Sequence, residues 1–441
     1  MERRDPMTTQ CNKWERVAIL AAFTPVLLGT ACSYAPADEG TASVRAELAT
    51  GDGWLDAWGD SQLSTTVTTD HQAVQGTTPS QISNQTLRLI VWTRLGGSAV
   101  RLRFTNQFGS APLVIGAAHV AVRQSGSTVQ TGTDRALKFD GNTGVTIPVG
   151  AEVWSDPVSL TVAQHADLAV SVYLPETFKP TQFHPVALKT SYVFKTRGNL
   201  TASASAPFGS STTTMAFFVN DVQVQTTLPG RVVVALGDSI TDGCCTSADR
   251  NASWPDQLSK RLPTLSDGTP VSVLNMGIGS NRFCASDGAG PAGLQRLEHD
   301  VLSRAAVSHL ILLEGINDIS YEHIAAAGLV ACYQTAITRA HDKGIKVLMS
   351  PLLPIAHSVK DTPANQDTRA AVNAWIRATD AASGGPDGIL DFEAAVSDPN
   401  DALSIKAELT SDHVHPNAAG YAAMANAIDL SIFDEDSLGN P

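Results

Sequence analysis

A serine, a histidine and an aspartate stand at positions where they could act together in acyl transfer. Ser239 closes a Gly-Asp-Ser segment that follows the apolar run 232–236, and Asp412 precedes His415 by three residues. A serine hydroxyl becomes a good nucleophile only when a base accepts its proton and a third group orients that base. We therefore expect Ser239 to be the nucleophile, His415 the base and Asp412 the group that fixes the imidazole tautomer. Without these partners, the segment is typical of an ordinary turn in which Asp238 or Ser239 caps a helix.

Two other segments carry groups that could stabilise a negatively charged oxygen in a transition state. One is the glycine-containing turn 277–281, and the other is the segment 314–318. Preorganised N–H donors aimed at such an oxygen are the usual device for this purpose. The expected donors are the backbone N–H of Ser239, a backbone N–H at either Gly279 or Ser280, and the side-chain amide of Asn317.

The alternation of strands and helices after residue 229 would bring these segments to one edge of a sheet. Helical spacing of apolar residues predicts a helix over 322–342, and Ser253 before Trp254-Pro255 is typical of a helix start. Repeated strand–helix units predict a three-layer α/β domain over 229–435, with a parallel sheet between two layers of helices. Ligands of such sheets bind at the carboxyl ends of the strands. Short apolar runs predict these strands at 231–236, 271–275, 308–313, 345–350 and 389–392.

The first half of the chain has a different pattern. Apolar and polar residues alternate in short runs such as 86–93 and 100–104, which are separated by Gly, Asn, Pro and Ser. Runs of this period predict an all-β sandwich domain over 51–228. Further strands are predicted at 113–122, 153–162, 168–174 and 213–224.

The α/β half resembles the SGNH/GDSL hydrolase family. Four segments carry the resemblance, in the family's order: 237–239, 277–281, 315–318, and Asp412 with His415. The resemblance implies a flavodoxin-like sheet and the hydrolysis of carboxylic esters without a metal or a cofactor. The preceding β half also resembles the jelly-roll-like sandwich attached to some members. The family's turn reads Gly-Ile-x-Gly-Asn, whereas here Gly279 and then Ser280 precede Asn281, so the second glycine is displaced by one position.

Two other motifs, one of α/β-hydrolases and one of dinucleotide-binding proteins, fit the sequence less well. The elbow of α/β-hydrolases, Gly-x-Ser-x-Gly, needs a glycine at position 241, which is a threonine here. A dinucleotide site needs Gly-x-Gly-x-x-Gly, whereas Gly277-Ile278-Gly279 is followed by Ser, Asn and Arg. No cofactor is therefore expected.

A metal centre is also not expected. Asp412, His413 and His415 carry ligand atoms, but no second ligand motif accompanies them. His413 is instead expected to face solvent or to contact the site from outside. Glu314, which follows a predicted strand, is expected to be solvated at the surface.

Charge and the first residues bear on partners and location. The 441-residue chain has a formal net charge of −13, which argues against nucleic-acid binding. Two basic residues precede an apolar stretch that is too short to span a bilayer, and Ala35-Pro36-Ala37 is typical of a cleavage site. We predict a signal peptide over 1–37, a linker over 38–50, and a secreted or periplasmic protein without an integral membrane span. Lipid anchoring at Cys32 is the alternative.

The cysteines fit an exported protein. Cleavage after residue 37 would leave an even number of them, as is common in oxidising compartments. A disulfide from Cys244 or Cys245 to Cys284 could join the nucleophile turn to the glycine turn. The four cysteines, including Cys332, could equally be reduced, because the sequence does not give their geometry.

These observations predict a secreted serine esterase that acts on short acyl groups, such as acetyl on carbohydrate or on small esters. A lipase or phospholipase type of acylhydrolase would use the same catalytic groups. A non-catalytic carbohydrate-binding protein is a third possibility, in which tryptophans of the β half stack on sugars, although buried tryptophan is commoner in a sandwich core. The tryptophans concerned are Trp54, Trp58, Trp92 and Trp154. The oligomeric state is left open.

Overall fold

Residues 53–64, 81–286 and 290–434 are described in the computed structural model. The predicted signal peptide and linker, together with Cys11 and Cys32, lie outside these residues. The described residues all belong to one compact unit, and the division of the chain between residues 228 and 229 stays a prediction. Within the described part, no helix combines the length and the apolar composition needed to cross a membrane.

Strands form the β-rich part of the protein, residues 53–225. Their bounds are β1 (Trp54–Gly59), β2 (Leu63–Ser64), β3 (Ile82–Trp92), β4 (Gly97–Thr105), β5 (Leu113–Ile115), β6 (Ala117–Ser125), β7 (Thr128–Val129), β8 (Arg135–Leu137), β9 (Val145–Ile147), β10 (Glu152–Trp154), β11 (Val158–Val162), β12 (Asp167–Phe178), β13 (Gln182–Phe183), β14 (Ser191–Arg197), β15 (Ser211–Thr213) and β16 (Val219–Gln225). One antiparallel sheet has the order β1-β16-β4-β10, with β11 beside β4. A longer antiparallel sheet has the order β15-β14-β3-β12-β6-β7, with β8 beside β6.

Apolar side chains from both sheets enter one buried core. Leu102 and Phe104 of β4 lie in the same cluster as Leu89 of β3 and Val170 of β12. Alternate residues of a strand point to the same face of a sheet, so the period-2 pattern supplies one apolar face to each sheet. The β-rich character of this part is as predicted, and its jelly-roll-like form stays a prediction.

Several predicted strands are interrupted in the structure. Pro157 divides one of them, because proline has no backbone N–H to donate to a ladder. Phe218 divides another, since its φ of 42° lies outside the extended region. The divided runs are 113–122, which breaks at Gly116, 153–162 and 213–224.

Strands and helices alternate in the α/β part, residues 231–434. The strands are β17 (Arg231–Gly237), β18 (Val271–Gly277), β19 (Val307–Leu313), β20 (Lys346–Met349), β21 (Gly388–Ile389), β22 (Ser397–Asp398) and β23 (Asp401–Ile405). The α-helices are α1 (Ser239–Asp242), α2 (Trp254–Arg261), α3 (Gly293–Leu297), α4 (Ile316–Tyr321), α5 (Ala326–His341), α6 (Pro363–Ala378), α7 (Phe392–Val396) and α8 (Ala418–Asn426). A π-helical turn spans Glu298–Leu302, and 3-10 turns span Ala381–Ser383, Ala407–Leu409 and Leu430–Phe433.

The main sheet of this part is parallel and has the order β18-β17-β19-β20-β21. This is the flavodoxin-like strand order, in which ligands bind where the order reverses beside the first strand. Gly237, the last residue of β17, is in register with Gly277 of β18 and with Leu313 of β19. The segments that follow these three strands therefore start from one edge of the sheet. Helix α2 contacts β18 and α5 contacts β20, and the three-layer arrangement stays a prediction.

Local capping explains where several helices begin. Ser253 accepts a hydrogen bond from the backbone of Asp256 and starts α2, as predicted. The predicted strand 389–392 is largely wrong. Only Gly388–Ile389 pairs with β20, because Asp391 accepts a hydrogen bond from the N–H of Ala394 and turns the chain into α7.

The disulfide of the described part joins Cys284 to Cys332, with Cα atoms 5.8 Å apart. It therefore connects the segment after β18 to α5. The Asp318 carboxylate holds the segment that carries Cys284, because it accepts the N–H groups of Phe283 and Cys284, both at 2.8 Å. Cys244 and Cys245 are free, so the link from either of them to Cys284 that the sequence allowed does not form.

Buried charges join the β-rich part to the α/β part. The guanidinium of Arg304 donates to Asp56 of β1 at 3.0 Å and to Asp221 of β16 at 2.6 Å. All three side chains are only 2% exposed. Burial and the neighbouring Asp56 raise the pKa of Asp221. A buried charge that loses its counter-ion is not stabilised by hydration, because water does not reach it.

We expect Arg304→Met to lower the free energy of unfolding by about 3–5 kcal/mol at neutral pH. Asp56 would lose the cation that it faces, and the buried Asp221 would keep only Arg103, at 3.3 Å. The deficit should shrink at acid pH, since the carboxyl groups of the folded variant would bind protons before those of the unfolded chain. Denaturant unfolding at neutral and mildly acidic pH measures both effects.

The matched control is Arg339→Met. Arg339 pairs with Glu298 at an accessible site, where the Glu298 side chain is 56% exposed, and its loss should change stability by less than about 1 kcal/mol. Equal destabilisation by the two substitutions would contradict a special role for the Arg304 cluster.

Candidate functional site

The turn that carries Ser239 is built by a strand end and a helix cap. β17 ends at Gly237, and the Asp238 side chain accepts the N–H of Ile240 at 2.9 Å, which starts α1 at Ser239. Asp238 is thus the helix cap that the ordinary-turn alternative required, and Ser239 is half-buried beside it. Gly277 of β18 packs against this turn so closely that a Cβ there would lie 2.1 Å from the backbone nitrogen of Asp242.

The three predicted triad residues lie together. Ser239 Oγ is 2.8 Å from His415 Nε2, and His415 Nδ1 is 2.7 Å from Asp412 Oδ2. The other carboxylate oxygen of Asp412 accepts the backbone N–H groups of Val414 at 3.0 Å and His415 at 2.8 Å. The arrangement can accept a proton from the serine while it holds the imidazole in one orientation.

Thr410 and Asn417 fix the loop that carries the imidazole. The Thr410 hydroxyl donates to the His415 carbonyl at 2.8 Å and accepts the N–H of His413 at 3.0 Å. Asn417 accepts the N–H groups of Ala419 and Gly420 and so caps α8. The loop is therefore held at both of its ends.

Electrostatics favour a proton on His415. Burial lowers the pKa of His415, but hydrogen bonds with Asp412 and Cys245 raise it to a final value of about 9. Burial raises the pKa of Asp412, yet its hydrogen bonds with the imidazole and the backbone of His415 hold it well below the usual range. A hydrogen bond from Cys244 and another with His415 lower the pKa of Cys245. Asp412 is therefore the ionised partner of the imidazole.

The glycine turn contains the residue that departs from the family pattern. Ser280 has a φ of 60°, a left-handed conformation that serine rarely adopts and that glycine adopts at little cost. Burial raises the pKa of Asp242, whereas His184 and the backbone N–H of Gly279, which faces the carboxylate, lower it. The Gly279 N–H is thus directed at Asp242.

Asn317 lies at the first turn of α4 and is oriented by Lys360. Asn317 Nδ2 donates to the Asn281 carbonyl at 3.0 Å, and a longer contact of 3.5 Å joins it to Asp238 Oδ2. Lys360 Nζ donates to Asn317 Oδ1 at 2.9 Å and lies 4.0 Å from the centre of the Tyr321 ring. Because the ammonium occupies the oxygen of the amide, the Asn317 NH₂ group faces Asn281 and Asp238, the residue that precedes Ser239.

Arg296 joins the ends of the strands that carry the site. Its guanidinium donates to the carbonyls of Gly237 at 2.8 Å and Met276 at 2.6 Å, and its Nε donates to Asn281 at 2.8 Å. Arg296 is also 3.6 Å from Glu314. Glu314 is buried, and burial raises its pKa to about 8; the expectation that it is solvated at the surface is wrong, because β19 ends inside the protein.

The His184 imidazole connects the β-rich part to this site. His184 Nε2 contacts Asp242 at 3.2 Å, and His184 Nδ1 contacts Asp60 at 3.1 Å and the Ser61 carbonyl at 2.8 Å. Burial lowers the pKa of His184, but the two carboxylates raise it to about 10. The residue is thus a buried cation next to the helical turn that Ser239 begins.

His413 lies outside the triad. It has a φ of 63° and its ring lies edge-on to His357, with ring centres 6.0 Å apart. The side chains near the triad that sequence analysis missed are Lys360, Arg296, His184 and Cys245. The first three lie far from Ser239 in sequence, and no motif marks them. Cys245 follows Ser239 by six residues, and this short separation was the signal that could have found it.

Comparisons with known proteins match part of this chain to one family and to several solved structures. Residues 235–423 match the GDSL-like Lipase/Acylhydrolase family, and no curated protein matches the chain. The chain is similar to the native aryl esterase of M. smegmatis, with 15% identity and a TM-score of 0.39 over 46% of this chain and 99% of that one. It is also similar to a carbohydrate acetylesterase family member from Sinorhizobium meliloti, with 17% identity and a TM-score of 0.37 over 46% and 97%. A GDSL-like lipase from Bacteroides thetaiotaomicron gives 19% identity and a TM-score of 0.33 over 46% and 88%.

Proposed function

Because residues 235–423 form a GDSL-like lipase/acylhydrolase domain, we propose that the protein is a serine esterase that works through an acyl-enzyme. The observation that carries the proposal is the hydrogen-bonded chain from Ser239 through His415 to Asp412. A nucleophile, its base and an orienting carboxylate within hydrogen-bonding distance are what acyl transfer requires.

In the proposed mechanism, Ser239 Oγ attacks the ester carbonyl while His415 Nε2 takes the hydroxyl proton. Collapse of the tetrahedral intermediate expels the alcohol, which receives that proton from Nε2. Water then attacks the acylated Ser239, and the same nitrogen accepts and returns a proton as the carboxylic acid leaves. Asp412 holds a proton on Nδ1 throughout and stabilises the imidazolium that forms in both steps.

For the oxyanion, we propose the backbone N–H groups of Ser239 and Ser280 together with Asn317 Nδ2 as donors. Ser280 is preferred to Gly279 because the Gly279 N–H faces the Asp242 carboxylate. The left-handed φ of Ser280 gives it the backbone conformation that glycine has in such turns. The displaced glycine of the sequence is therefore compatible with an oxyanion hole.

The groups around the nucleophile favour short acyl esters of polar alcohols. Asp238, Asn317 and Lys360 are polar and buried. Asp238 precedes Ser239, Asn317 Nδ2 lies 3.5 Å from Asp238, and Lys360 donates to Asn317. A long acyl chain would desolvate these groups without offering them hydrogen bonds. Acetyl groups on carbohydrate, or small esters, are the proposed substrates, and a lipase-type preference for long chains is the alternative.

The tryptophans of the β-rich part do not favour the non-catalytic carbohydrate-binding alternative. Trp54, Trp58 and Trp92 are buried. The guanidinium of Arg101 lies 5.2 Å from the centre of the Trp154 ring, which leaves that face unavailable to a sugar. Catalysis therefore remains the proposal.

The test combines labelling and turnover. A fluorophosphonate should attach to the peptide that contains Ser239, and hydrolysis of p-nitrophenyl esters should be fastest for acetate and fall as the chain lengthens. Acetylated xylan should release acetate. Phosphonylation of another serine would overturn the nucleophile assignment, a rise in rate with chain length would favour the lipase alternative, and no turnover above buffer would favour the binding alternative.

The activity should depend on pH through His415, which must be neutral to act as base. Since the pKa of His415 is raised to about 9, kcat/KM should climb from neutral pH up to about that value. Cys245→Ala should move this limb to lower pH, because the variant lacks a hydrogen bond that stabilises the imidazolium. Both effects are measured from kcat/KM recorded as a function of pH, with a chelator present to remove metal ions. A kcat/KM that stays constant from mildly acidic to mildly alkaline pH would contradict the role of His415 as base.

Lys360→Met should lower kcat by about 10- to 100-fold. Without the ammonium on its oxygen, the Asn317 amide can rotate, and its NH₂ group is then no longer fixed as a donor to the oxyanion. KM should change less, because the amide is required mainly in the transition state. Lys343→Met, on the surface of the same part, is the control and should keep wild-type kinetics. A Lys360 variant that raises KM without lowering kcat would show that the ammonium binds substrate instead of positioning Asn317.

We also propose export with removal of residues 1–37. The supporting observation is the Cys284–Cys332 disulfide, because disulfides persist in oxidising compartments. Mass spectrometry of protein secreted by an expressing cell should give a new N-terminus at residue 38. A lipid attached at Cys32 would favour the anchored alternative.

A further inference from the structure

Two thiols and an imidazole lie together beside the nucleophile, and the proposed esterase reaction uses neither thiol. The sulfur atoms of Cys244 and Cys245 are 3.3 Å apart. Ligand atoms of Cys244, Cys245 and His415 all lie within 4.8 Å of one another. The segment that carries the thiols is fixed, because the Cys244 N–H donates to the Ser239 carbonyl at 2.9 Å and the Tyr421 hydroxyl donates to the Cys244 carbonyl at 3.0 Å.

We propose that Cys244, Cys245 and His415 form a binding site for a thiophilic divalent cation such as Zn²⁺, and that this cation inhibits the esterase. Two thiolates and one imidazole are a ligand set of Zn²⁺, which needs three protein ligands when a water or substrate atom takes the fourth position. In a tetrahedral site the ligand atoms are about 3.3–3.8 Å apart. The three groups therefore need to close by at most about 1.5 Å, and Cys245 is exposed, which leaves its side chain room to turn.

Charge around the cluster also favours a cation. Asp412 Oδ2 lies 4.0 Å from the Cys245 sulfur, and the Asp242 and Asp412 carboxylates both act on the Cys244 thiol. Binding releases two protons to water, one from Cys244 and one from the hydrogen-bonded pair of Cys245 and His415, and leaves two thiolates and a neutral imidazole on one divalent cation. The cluster itself therefore gains no net charge, while the cation is attracted by the carboxylates nearby.

Inhibition follows from the two hydrogen bonds of His415. Nε2 is the atom that faces Ser239, and Nδ1 is the atom that faces Asp412. A cation on Nε2 takes the electron pair that would accept the serine proton, and a cation on Nδ1 displaces the orienting carboxylate. Coordination through either nitrogen stops the proposed reaction; this effect on rate rests on the proposed function, whereas the binding does not.

Cadmium is the probe, because its bonds to thiolates give a charge-transfer absorption that is measured without any substrate. In the full-length protein with reduced thiols, this charge-transfer absorption should saturate when one equivalent of Cd²⁺ has been added. The substitutions Cys245→Ser and Cys244→Ser should each remove most of this absorption. Cys11 and Cys32 are replaced by serine in every protein that is compared, the reference protein included, so that they contribute no band. His415→Ala should bind Cd²⁺ at least about tenfold more weakly.

His413→Asn is the matched control, since asparagine tolerates the left-handed conformation of that residue. It should bind Cd²⁺ as wild type does, whereas a His-x-His site would lose affinity. Ester hydrolysis by wild type should fall over the same Cd²⁺ and Zn²⁺ concentrations and return on adding a chelator. Each variant is compared with its own metal-free rate.

Unchanged Cd²⁺ binding in both cysteine variants would overturn the site. Full occupancy of the band without any loss of ester hydrolysis would overturn the coordination by His415. If the wild type hydrolyses no ester at all, the proposed function fails, and the absorption of the wild type and its variants still decides whether the cation site exists.

Discussion

Ser239→Ala should lower kcat for an ester substrate by about 10⁵- to 10⁶-fold. The substitution removes the atom that forms the covalent intermediate, and alanine supplies no replacement at a position 2.8 Å from His415 Nε2. A small residual rate should remain, because the oxyanion donors and the imidazole can still assist direct attack by water. The measurement is p-nitrophenyl acetate hydrolysis by enzyme at high concentration, together with loss of fluorophosphonate labelling.

The fold should survive this change, because the Ser239 hydroxyl takes no part in starting α1, which Asp238 caps. The melting temperature of the variant should therefore match that of wild type. Ser303→Ala is the control, since it removes an exposed hydroxyl that donates only to the His299 carbonyl, and it should keep full activity. Retention of more than a few per cent of wild-type kcat by Ser239→Ala would exclude the acyl-enzyme on this residue.

Asp412→Asn should lower kcat by on the order of 10⁴-fold. The backbone N–H groups of Val414 and His415 both donate to Oδ1 of Asp412. An asparagine at this position would have to keep its single oxygen on those two donors, so its NH₂ group would face His415 Nδ1. The imidazole would then carry its proton on Nε2, where it cannot accept one from Ser239.

The wrong imidazole tautomer is therefore the expected cause of the loss in kcat, and solvent does not restore the right one. The Asp412 side chain is 43% exposed, so water can replace part of its charge effect but not the geometry of the amide. Asp412→Ala, which lets water face Nδ1, should therefore be more active than Asp412→Asn. Asp401→Asn, at the exposed His357 pair, should keep wild-type kcat. Equal activity of the two Asp412 variants would contradict the tautomer explanation.

Short-range signals made part of the site predictable. The apolar run before Gly237 fixes where β17 ends, and the three-residue spacing of Asp412 and His415 lets one turn hold both side chains. The positions at the carboxyl edge of the sheet followed from the strand–helix alternation alone. Motif and topology therefore predicted which residues the structure brings together.

Residues that act across the chain were not predictable in this way. Lys360 reaches Asn317 from 43 positions away, and no motif marks it. The choice between Gly279 and Ser280 depends on where Asp242 points, which depends in turn on His184 in the other part of the protein. The burial of Glu314 was not predictable from its position after a strand, because Arg296, the cation that faces it, lies on a different element.

The contact between His184 and Asp242 bears on how such a chain can be rearranged in evolution. A recombinant that joined residues 229–435 to an unrelated leading domain would inherit Asp242 without the His184 imidazole that lies 3.2 Å from it, and Arg296 would be the remaining cation that acts on this carboxylate. It would need either a cation from the new domain or a neutral residue at position 242. The boundary that the sequence predicts at Pro229 therefore separates two parts that share a buried ion pair, and we expect lineages that swap the leading domain to change position 242 in the same step.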